Sequence, residues 1–226
     1  HRSVFGRELV EQPLMRNVLA DLAIESEAAT IGALRLARAY DEALAGDEDA
    51  QNFKRLANAV LKYWICKRAV VHAGEALECL GGNGYVEESG MPRLFRESPL
   101  NGIWEGSGNV QCLDVLRAMV KSPAALEAFF AEVQEGAVAE PRLAAFATQL
   151  RDELPGHLET IESRARRLVE KMALALQGSL LVRYGDEAVA DAFCASRLSG
   201  DWGQAFGTLP AGTDFSRIIE RHRPVA

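Results

Sequence analysis

The sequence has few of the features that mark secreted, metal-binding or membrane-spanning proteins. Its four cysteines are widely scattered and form no C-x-x-C pair, which argues against a zinc site and a disulfide framework. The four histidines are equally dispersed, so we predict no metal site. No apolar run approaches the ~20 residues of a membrane span, and no secretory leader opens the chain. We therefore expect a cytoplasmic protein without a membrane partner.

A strong charge of one sign is also lacking. The formal net charge is −7, and the acidic excess is spread over both halves of the chain. This balance excludes the global positive field that nucleic-acid-binding proteins commonly carry. The chain begins at His1 rather than at a methionine, which indicates a fragment of a longer protein.

Apolar residues instead recur with the period of amphipathic helices. They follow steps of three, four and seven residues from Leu14 to Tyr40, and the same period restarts at Phe53 and continues toward Leu80. The acidic run 46–49, which contains Gly46, separates the two segments, so they are predicted to pack antiparallel as in a bundle. No convincing strand pattern appears, and the predicted class is all-α.

The rest of the chain continues this pattern with one interruption. Residues 81–108 contain several glycines and two prolines and have no sustained period, so we predict an ordered loop or series of turns. A helix is expected to resume near Asn109, with Ser107 or Asn109 as its cap. Further helices are predicted after Ser122, from His157 to about Tyr184 and over 187–198, before an irregular end.

Two glycine-rich runs, residues 78–85 and 103–109, lie close together in the sequence. Both are explained equally well as helix ends or as places where the backbone approaches a ligand. A helix end does not explain Glu105, which stands between a tryptophan and a glycine just before a predicted helix. A carboxyl held there in an apolar pocket would have a raised pKa and would suit a general base. The alternative is an ordinary solvated glutamate.

The order of these motifs resembles the C-terminal part of the acyl-CoA dehydrogenase family. The chain has RSVFGR at 2–7, ECLGGNGY at 78–85, RLFR at 93–96 and WEGSGNVQ at 104–111, beside the family's R-x-Q-F-G, Q-x-L-G-G-x-G-[YF], R-x-x-R and [YW]-E-G-[TS]-x-x-I-Q. The residues in and around these motifs are most similar to those of the DNA-alkylation-response branch of the family. The resemblance implies an up-down helical domain over 1–121 and a helical C-terminal extension over 122–226.

The resemblance also implies chemistry. Glu105 takes the place of the base that removes the α-proton of an acyl-CoA while FAD accepts a hydride, and Trp104 would keep the site dry. Because the family shares FAD between subunits, a homotetramer built as a dimer of dimers is expected. The positions that match FAD contacts are Arg2, Phe5, Gly82, Ser107 and Asn109.

The branch is also credited with binding double-stranded DNA through its C-terminal region. One basic cluster on a predicted helix comprises Arg164, Arg166, Arg167 and Lys171, and a second comprises Arg217, Arg221 and Arg223. Phosphate contacts need such side chains, but interleaved glutamates at 159, 162 and 170 favour ion pairing four residues apart on a solvated helix face.

Three interpretations of the function therefore stay open. The first is an acyl-CoA dehydrogenase, the second is a flavoprotein with vestigial activity that mainly binds and protects DNA, and the third is a purely structural helical module. Under the first, we expect these residues alone to retain FAD weakly or not at all, and to show no turnover.

Overall fold

The structure is a computed structural model that describes residues 2–154 and 158–224, without the side chains of 158–160. A small antiparallel hairpin opens the described chain, with β1 at Ser3–Val4 and β2 at Arg7–Glu8. Phe5 and Gly6 form its two-residue turn, with φ angles of 49° and 79°. Positive φ at both turn residues matches the right-handed twist of the strands. The two strands are short, and the predicted all-α class is confirmed.

Two long antiparallel helices form the frame of the fold. Helix α1 spans Pro13–Leu44, and helix α2 spans Glu48–Cys79. Pro13 occupies the first turn of α1, where its missing N–H costs nothing. The Asp47 carboxylate accepts a hydrogen bond from the Ala50 N–H and caps α2. The two predicted helices and the turn between them are confirmed.

The region from 81 to 108 differs from the prediction of an ordered loop. It contains a short helix α3 at Gly82–Tyr85, a 3-10 turn at Glu87–Ser89 and an eleven-residue helix α4 at Met91–Asn101. Gly90, in the left-handed conformation at φ 74°, ends the 3-10 turn and precedes α4. The prediction missed α4 because its two prolines and the flanking Gly90 and Gly102 indicated turns, although Pro92 lies in the first turn, where a helix tolerates it, and Pro99 lies within the helix.

The chain from residue 108 onward is also helical, and the residues after 121 form its second half. The elements from residue 108 onward are α5 Gly108–Lys121, α6 Pro123–Ala137, α7 Pro141–Glu153, α8 Leu158–Tyr184, α9 Glu187–Phe193, a π-helical segment Cys194–Leu198 and α10 Phe215–Arg221. The predicted irregular end is wrong in part, because the Asp214 carboxylate caps α10 by accepting from the Arg217 N–H. The predicted stop at Pro155 and Gly156 and the helix start at His157 lie outside the described residues.

One hydrophobic core joins the two halves. Helix α8 is buried along much of its length and packs against α1, α2, α5 and α6. Phe53 of α2 stacks on Phe129 of α6, with ring centroids 6.4 Å apart. The α6 and α8 backbones approach so closely that a Cβ on Gly136 would lie 2.6 Å from the Ser179 Cα. The division at residue 121 stays a prediction, since this core is continuous across it.

A buried carboxylate ties three helices together. Glu132 of α6 accepts hydrogen bonds from Arg35 of α1 at 2.7 Å and from Arg183 of α8 at 2.5 Å. Only 7% of its side chain is exposed, so the charge depends on these two partners. The second half of the chain is thus attached to the first by polar contacts as well as by the core.

Candidate active site

Glu105 lies in the turn between α4 and α5 in an unusual backbone conformation. Its φ is 51°, and the following Gly106 has φ 104°. A non-glycine residue in the left-handed region is uncommon and strained, and such residues cluster at functional sites. Gln111 of α5 stabilises the turn, because its Nε2 donates to the carbonyl oxygens of Glu105 at 3.0 Å and Gly106 at 3.2 Å.

A lysine from α2 holds the other side of this turn. Lys62 Nζ donates to the carbonyl oxygens of Asn101 and Trp104, each at 2.9 Å. The two bonds use the last turn of α4 and the residue just before Glu105. Sequence reasoning missed both anchors. Gln111 was detectable, because it is the final glutamine of the WEGSGNVQ motif, whereas nothing in the sequence distinguished Lys62 from other solvated helix residues.

The Glu105 side chain is exposed in this chain, and so is 56% of Trp104. The expectation that Trp104 encloses the carboxyl in a dry pocket is therefore not met here, because the indole lies at the surface of the turn. Glu105 instead borders a cleft of about 260 Å³ between the turn and α2, with Ile65 and Ala69 as apolar lining. Cys66 also lines the cleft, and burial raises the pKa of its thiol.

Helix α5 begins directly after this turn. Ser107 occupies its cap position as predicted, but its side chain makes no capping hydrogen bond. A Cβ on Gly108 would lie 2.9 Å from the Lys67 Cε and 3.4 Å from the Tyr63 Cε2, so the start of α5 lies against side chains of α2. Asn109 is exposed, and its Oδ1 accepts a hydrogen bond from Arg166 Nε of α8 at 2.8 Å. A residue of the second half thus contacts the start of α5.

The first glycine-rich turn lies beside the N-terminal hairpin. Gly81 has φ 60°, and a Cβ there would lie 2.9 Å from Arg2 Nη1, which places the Arg2 guanidinium against this turn. A Cβ on Gly84 would lie 2.1 Å from the Leu77 carbonyl oxygen. By contrast, a Cβ on Gly82 would meet no atom within 4 Å. Gly82 therefore faces open space, and the packing of the described chain does not require a glycine there.

The remaining predicted cofactor residue stands apart. Phe5 is 99% exposed at the tip of the hairpin. The described residues give this ring no packing role, so its exposure is what a contact with another molecule would require. The structure thus brings Arg2 to the Gly81 turn and Asn109 to Arg166, while Phe5 and Gly82 face outward.

The first basic cluster is engaged by the protein itself. Besides the Arg166 contact to Asn109, Lys171 and Arg167 pair with the Glu153 carboxylate at 2.5 Å and 3.8 Å. Arg164 donates to the Glu153 carbonyl oxygen at 3.4 Å. Among the described side chains, these ion pairs therefore run to the end of α7. The predicted pairing with Glu159, Glu162 and Glu170 stays a prediction, because the Glu159 side chain lies outside the described residues.

The second basic cluster is paired in the same way. Arg217 binds Asp186 at 2.9 Å, Arg221 binds Glu27 at 2.9 Å, and Arg223 binds Glu220 at 3.4 Å. Each pairing sets a carboxylate against the positive charge, which weakens the attraction for a phosphate backbone.

Comparison with known proteins assigns the family. The sequence family described as "Acyl-CoA dehydrogenase, C-terminal domain" matches residues 1–120, more than half of the chain. The chain belongs to the acyl-CoA dehydrogenase family. This assignment confirms the resemblance that the motifs predicted. Among the described residues, no helix is both long and apolar enough to cross a bilayer.

Relatives within the family also match the second half. AidB of Escherichia coli (strain K12) is 39% identical over 197 residues, which are 85% of this chain and 35% of AidB. Acyl-CoA dehydrogenase family member 11 of Caenorhabditis elegans is 31% identical over 193 residues, 83% of this chain and 28% of that protein. The chain thus spans about a third of the length of these acyl-CoA dehydrogenases, and both alignments extend beyond the 120 residues of the family match.

A solved structure agrees with the fold. The crystal structure of Caenorhabditis elegans ACDH-11 in complex with C11-CoA superposes with a TM-score of 0.77 at 25% identity, covering 100% of this chain and 43% of that one. The likeness therefore includes the second half, α6 to α10, as well as the helices of the family match.

Proposed function

We propose that this chain is the C-terminal part of an FAD-dependent acyl-CoA dehydrogenase in which Glu105 removes the α-proton of the thioester. The observation that carries the proposal is the left-handed Glu105, held by Lys62 and Gln111 at the edge of an apolar-lined cleft. A base must be fixed relative to the proton that it abstracts, and a turn anchored on both sides meets this requirement.

The chemistry divides between the chain and its cofactor. FAD, when bound, supplies the acceptor for the hydride that leaves the β-carbon. Glu105 accepts the α-proton on a carboxylate oxygen, so a carbon–carbon double bond forms as both hydrogens leave. Ile65 and Ala69, which line the same cleft as Glu105, offer apolar surface for the acyl chain. ACDH-11 was solved with C11-CoA, and this supports an acyl-CoA as the substrate class here.

The predicted cofactor residues fit a bound dinucleotide. The Ser107 hydroxyl, which makes no capping hydrogen bond, the N–H groups of the first turn of α5 and the Asn109 amide lie at one end of this helix. Arg2 beside Gly81 offers a cation for a pyrophosphate. Gly82 faces outward, which suits contact with the FAD of a neighbouring subunit in a homotetramer, and the exposed Phe5 ring suits contact with the adenine.

Replacing Glu105 with glutamine in the intact protein tests the base. The amide cannot accept the proton, so we expect turnover to fall by about 10²- to 10⁴-fold, with flavin content unchanged. The readout is anaerobic bleaching of the flavin by straight and branched acyl-CoA. Glu88→Gln, at an exposed glutamate outside the cleft, is the matched control and should bleach normally. Unchanged turnover in Glu105→Gln would instead favour the purely structural module.

Association with double-stranded DNA remains the competing function. Arg164, Arg166, Arg167 and Lys171 already contact protein groups, so we expect at most weak duplex binding that falls steeply with salt. If no thioester bleaches the flavin while the intact protein binds duplex in a salt-sensitive manner, the main role is DNA binding with vestigial dehydrogenase activity. The cytoplasmic location stays a prediction.

The chain on its own gives a separate prediction. The relatives are about three times as long, so these residues alone should retain FAD weakly or not at all and show no turnover. A purified chain with a full flavin absorbance spectrum would contradict this expectation.

A further inference from the structure

A second cleft lies between α1 and α2, with α8 beneath it. Its volume is about 200 Å³, and it contains neither Glu105 nor Trp104. Ile65 and Ala69 line both clefts, so they form the wall between them. The volume far exceeds the ~30 Å³ that one water occupies, and it is below the ~300 Å³ at which sites for drug-sized ligands begin. The space fits a molecule of a few non-hydrogen atoms.

A buried amide lines this cleft without a partner. Gln177 of α8 is 1% exposed, yet neither its Nε2 nor its Oε1 has a hydrogen-bond partner among the described residues. A glutamine offers two donors and an acceptor side by side, and leaving them unpaired in a protein interior is costly. Arg68 Nε, also on the lining, is a second buried donor with no partner in the described chain.

The charges around the cleft cancel. Glu25 and Arg68 are its charged lining groups, and they pair with each other at 3.2 Å. Burial lowers the pKa of His72, so this ring is neutral at physiological pH. Ala29 adds to the apolar lining. An ion would meet no net opposite charge here, whereas a neutral molecule with an apolar body and a polar end matches the surface.

We propose that this cleft binds a small neutral primary amide with a short apolar tail. The amide group of such a ligand is complementary to Gln177: its N–H donates to Oε1, and its carbonyl oxygen accepts from Nε2 or from Arg68 Nε. The tail lies against Ala29, Ile65 and Ala69. The polar groups that would bind the amide, Gln177 and Arg68, do not line the Glu105 cleft, so the proposal does not depend on the dehydrogenase reaction, although Ile65 and Ala69 line both clefts.

The test titrates butanamide into the purified chain and follows the side-chain amide signal of Gln177 by ¹⁵N NMR. That signal is assigned by its loss in Gln177→Met. We expect a saturable shift with butanamide and none with butanoate or butylammonium, which have the same number of carbons but carry charge. By calorimetry, Gln177→Met should bind about tenfold more weakly or worse, because the paired amide is gone. Gln149→Met, at an exposed glutamine of α7, should bind as the parent chain does.

Two further measurements keep the outcome decisive. Removing an unsatisfied buried amide should leave the thermal midpoint of Gln177→Met unchanged or higher, so weaker binding there cannot be attributed to unfolding. Ala69→Leu should block butanamide by filling the cleft while Gln177 stays in place. Absence of a saturable shift, equal binding by Gln177→Met, or equally tight binding of butanoate would each overturn the proposal, and the first would leave a cleft that holds water only.

Discussion

Arg197 provides a sharp test of how the second half is attached to the first. Its side chain is 1% exposed and binds two carboxylates of α1, Asp21 with direct contact and Glu25 at 3.5 Å. The guanidinium also lies 4.3 Å from the centre of the Trp202 ring. Asp21 is fully buried, so replacing Arg197 with methionine would leave a carboxylate in the interior without its main counter-charge.

The expected loss of stability in Arg197→Met depends on the contacts that Asp21 and Glu25 keep. Removing one partner of a buried ion pair costs about 3–5 kcal/mol. Asp21 keeps the Gly207 N–H at 2.9 Å, and Glu25 keeps Arg68 at 3.2 Å, so we expect the lower end, about 3 kcal/mol. For a chain of this size, each kcal/mol of lost stability lowers the midpoint of thermal unfolding by about 2–4 °C. The midpoint of Arg197→Met should therefore lie roughly 6–12 °C below that of the parent chain.

The assay is urea and thermal unfolding of the purified chain at neutral pH. Arg117→Met is the matched control, since that arginine is 59% exposed and pairs with Asp114 at 3.5 Å; its loss should cost ~0–1 kcal/mol. Adding Asp21→Leu to Arg197→Met should recover part of the loss, because a buried pair is replaced by apolar groups. A loss below about 1 kcal/mol for Arg197→Met would refute the reasoning.

Two further predictions concern stability. Burial alone would raise the pKa of Glu132, but hydrogen bonds from Arg35 and Arg183 lower this pKa below its ordinary value. The ionised Glu132 therefore stabilises the fold above the pKa of ~4.3 that a glutamate has in the unfolded chain, and this stabilisation is lost as pH falls through the pKa of the folded state. The deficit of Glu132→Gln in urea unfolding should therefore shrink toward pH 3; a deficit constant with pH would contradict this. Gly84→Ala should cost about 1–3 kcal/mol, because its Cβ would overlap the Leu77 carbonyl oxygen, whereas Gly82→Ala should be close to neutral. Equal melting temperatures for the two alanine variants would show that the turn relaxes freely.

Much of the fold was predictable because long helices with a buried face repeat their apolar residues at a fixed period. Helices α1 and α2 follow this rule over 32 residues each. Helix α4 was missed for another reason: Met91, Leu94 and Phe95 do recur at helical steps, but Pro92 and Pro99 indicated turns over this short segment. Helix α10 is seven residues long, too short for a period to emerge.

The sequence motifs predicted which residues belong to the candidate site, but they did not predict the contacts that surround those residues. The motifs located Glu105, Ser107 and Asn109, but the strain at Glu105 and the support from Lys62 depend on contacts between distant segments. Likewise, a basic run on α8 gave no sign that Arg166 faces the start of α5. Periodicity predicts which face of a helix is buried, whereas partners across the fold are fixed by tertiary packing alone.

The Arg166 contact to Asn109 bears on how such proteins can be shortened. Ending the chain after Lys121 would follow the limit of the shared family region, but it would remove this guanidinium and strip α2 of the apolar cover that α6 and α8 provide. This truncation would expose leucine and phenylalanine side chains, and such exposed apolar surface favours aggregation over folding. The residues after 121 therefore pack as part of the same bundle as the helices of the family region. Exchanging them between relatives would require redesigning the helices that they cover.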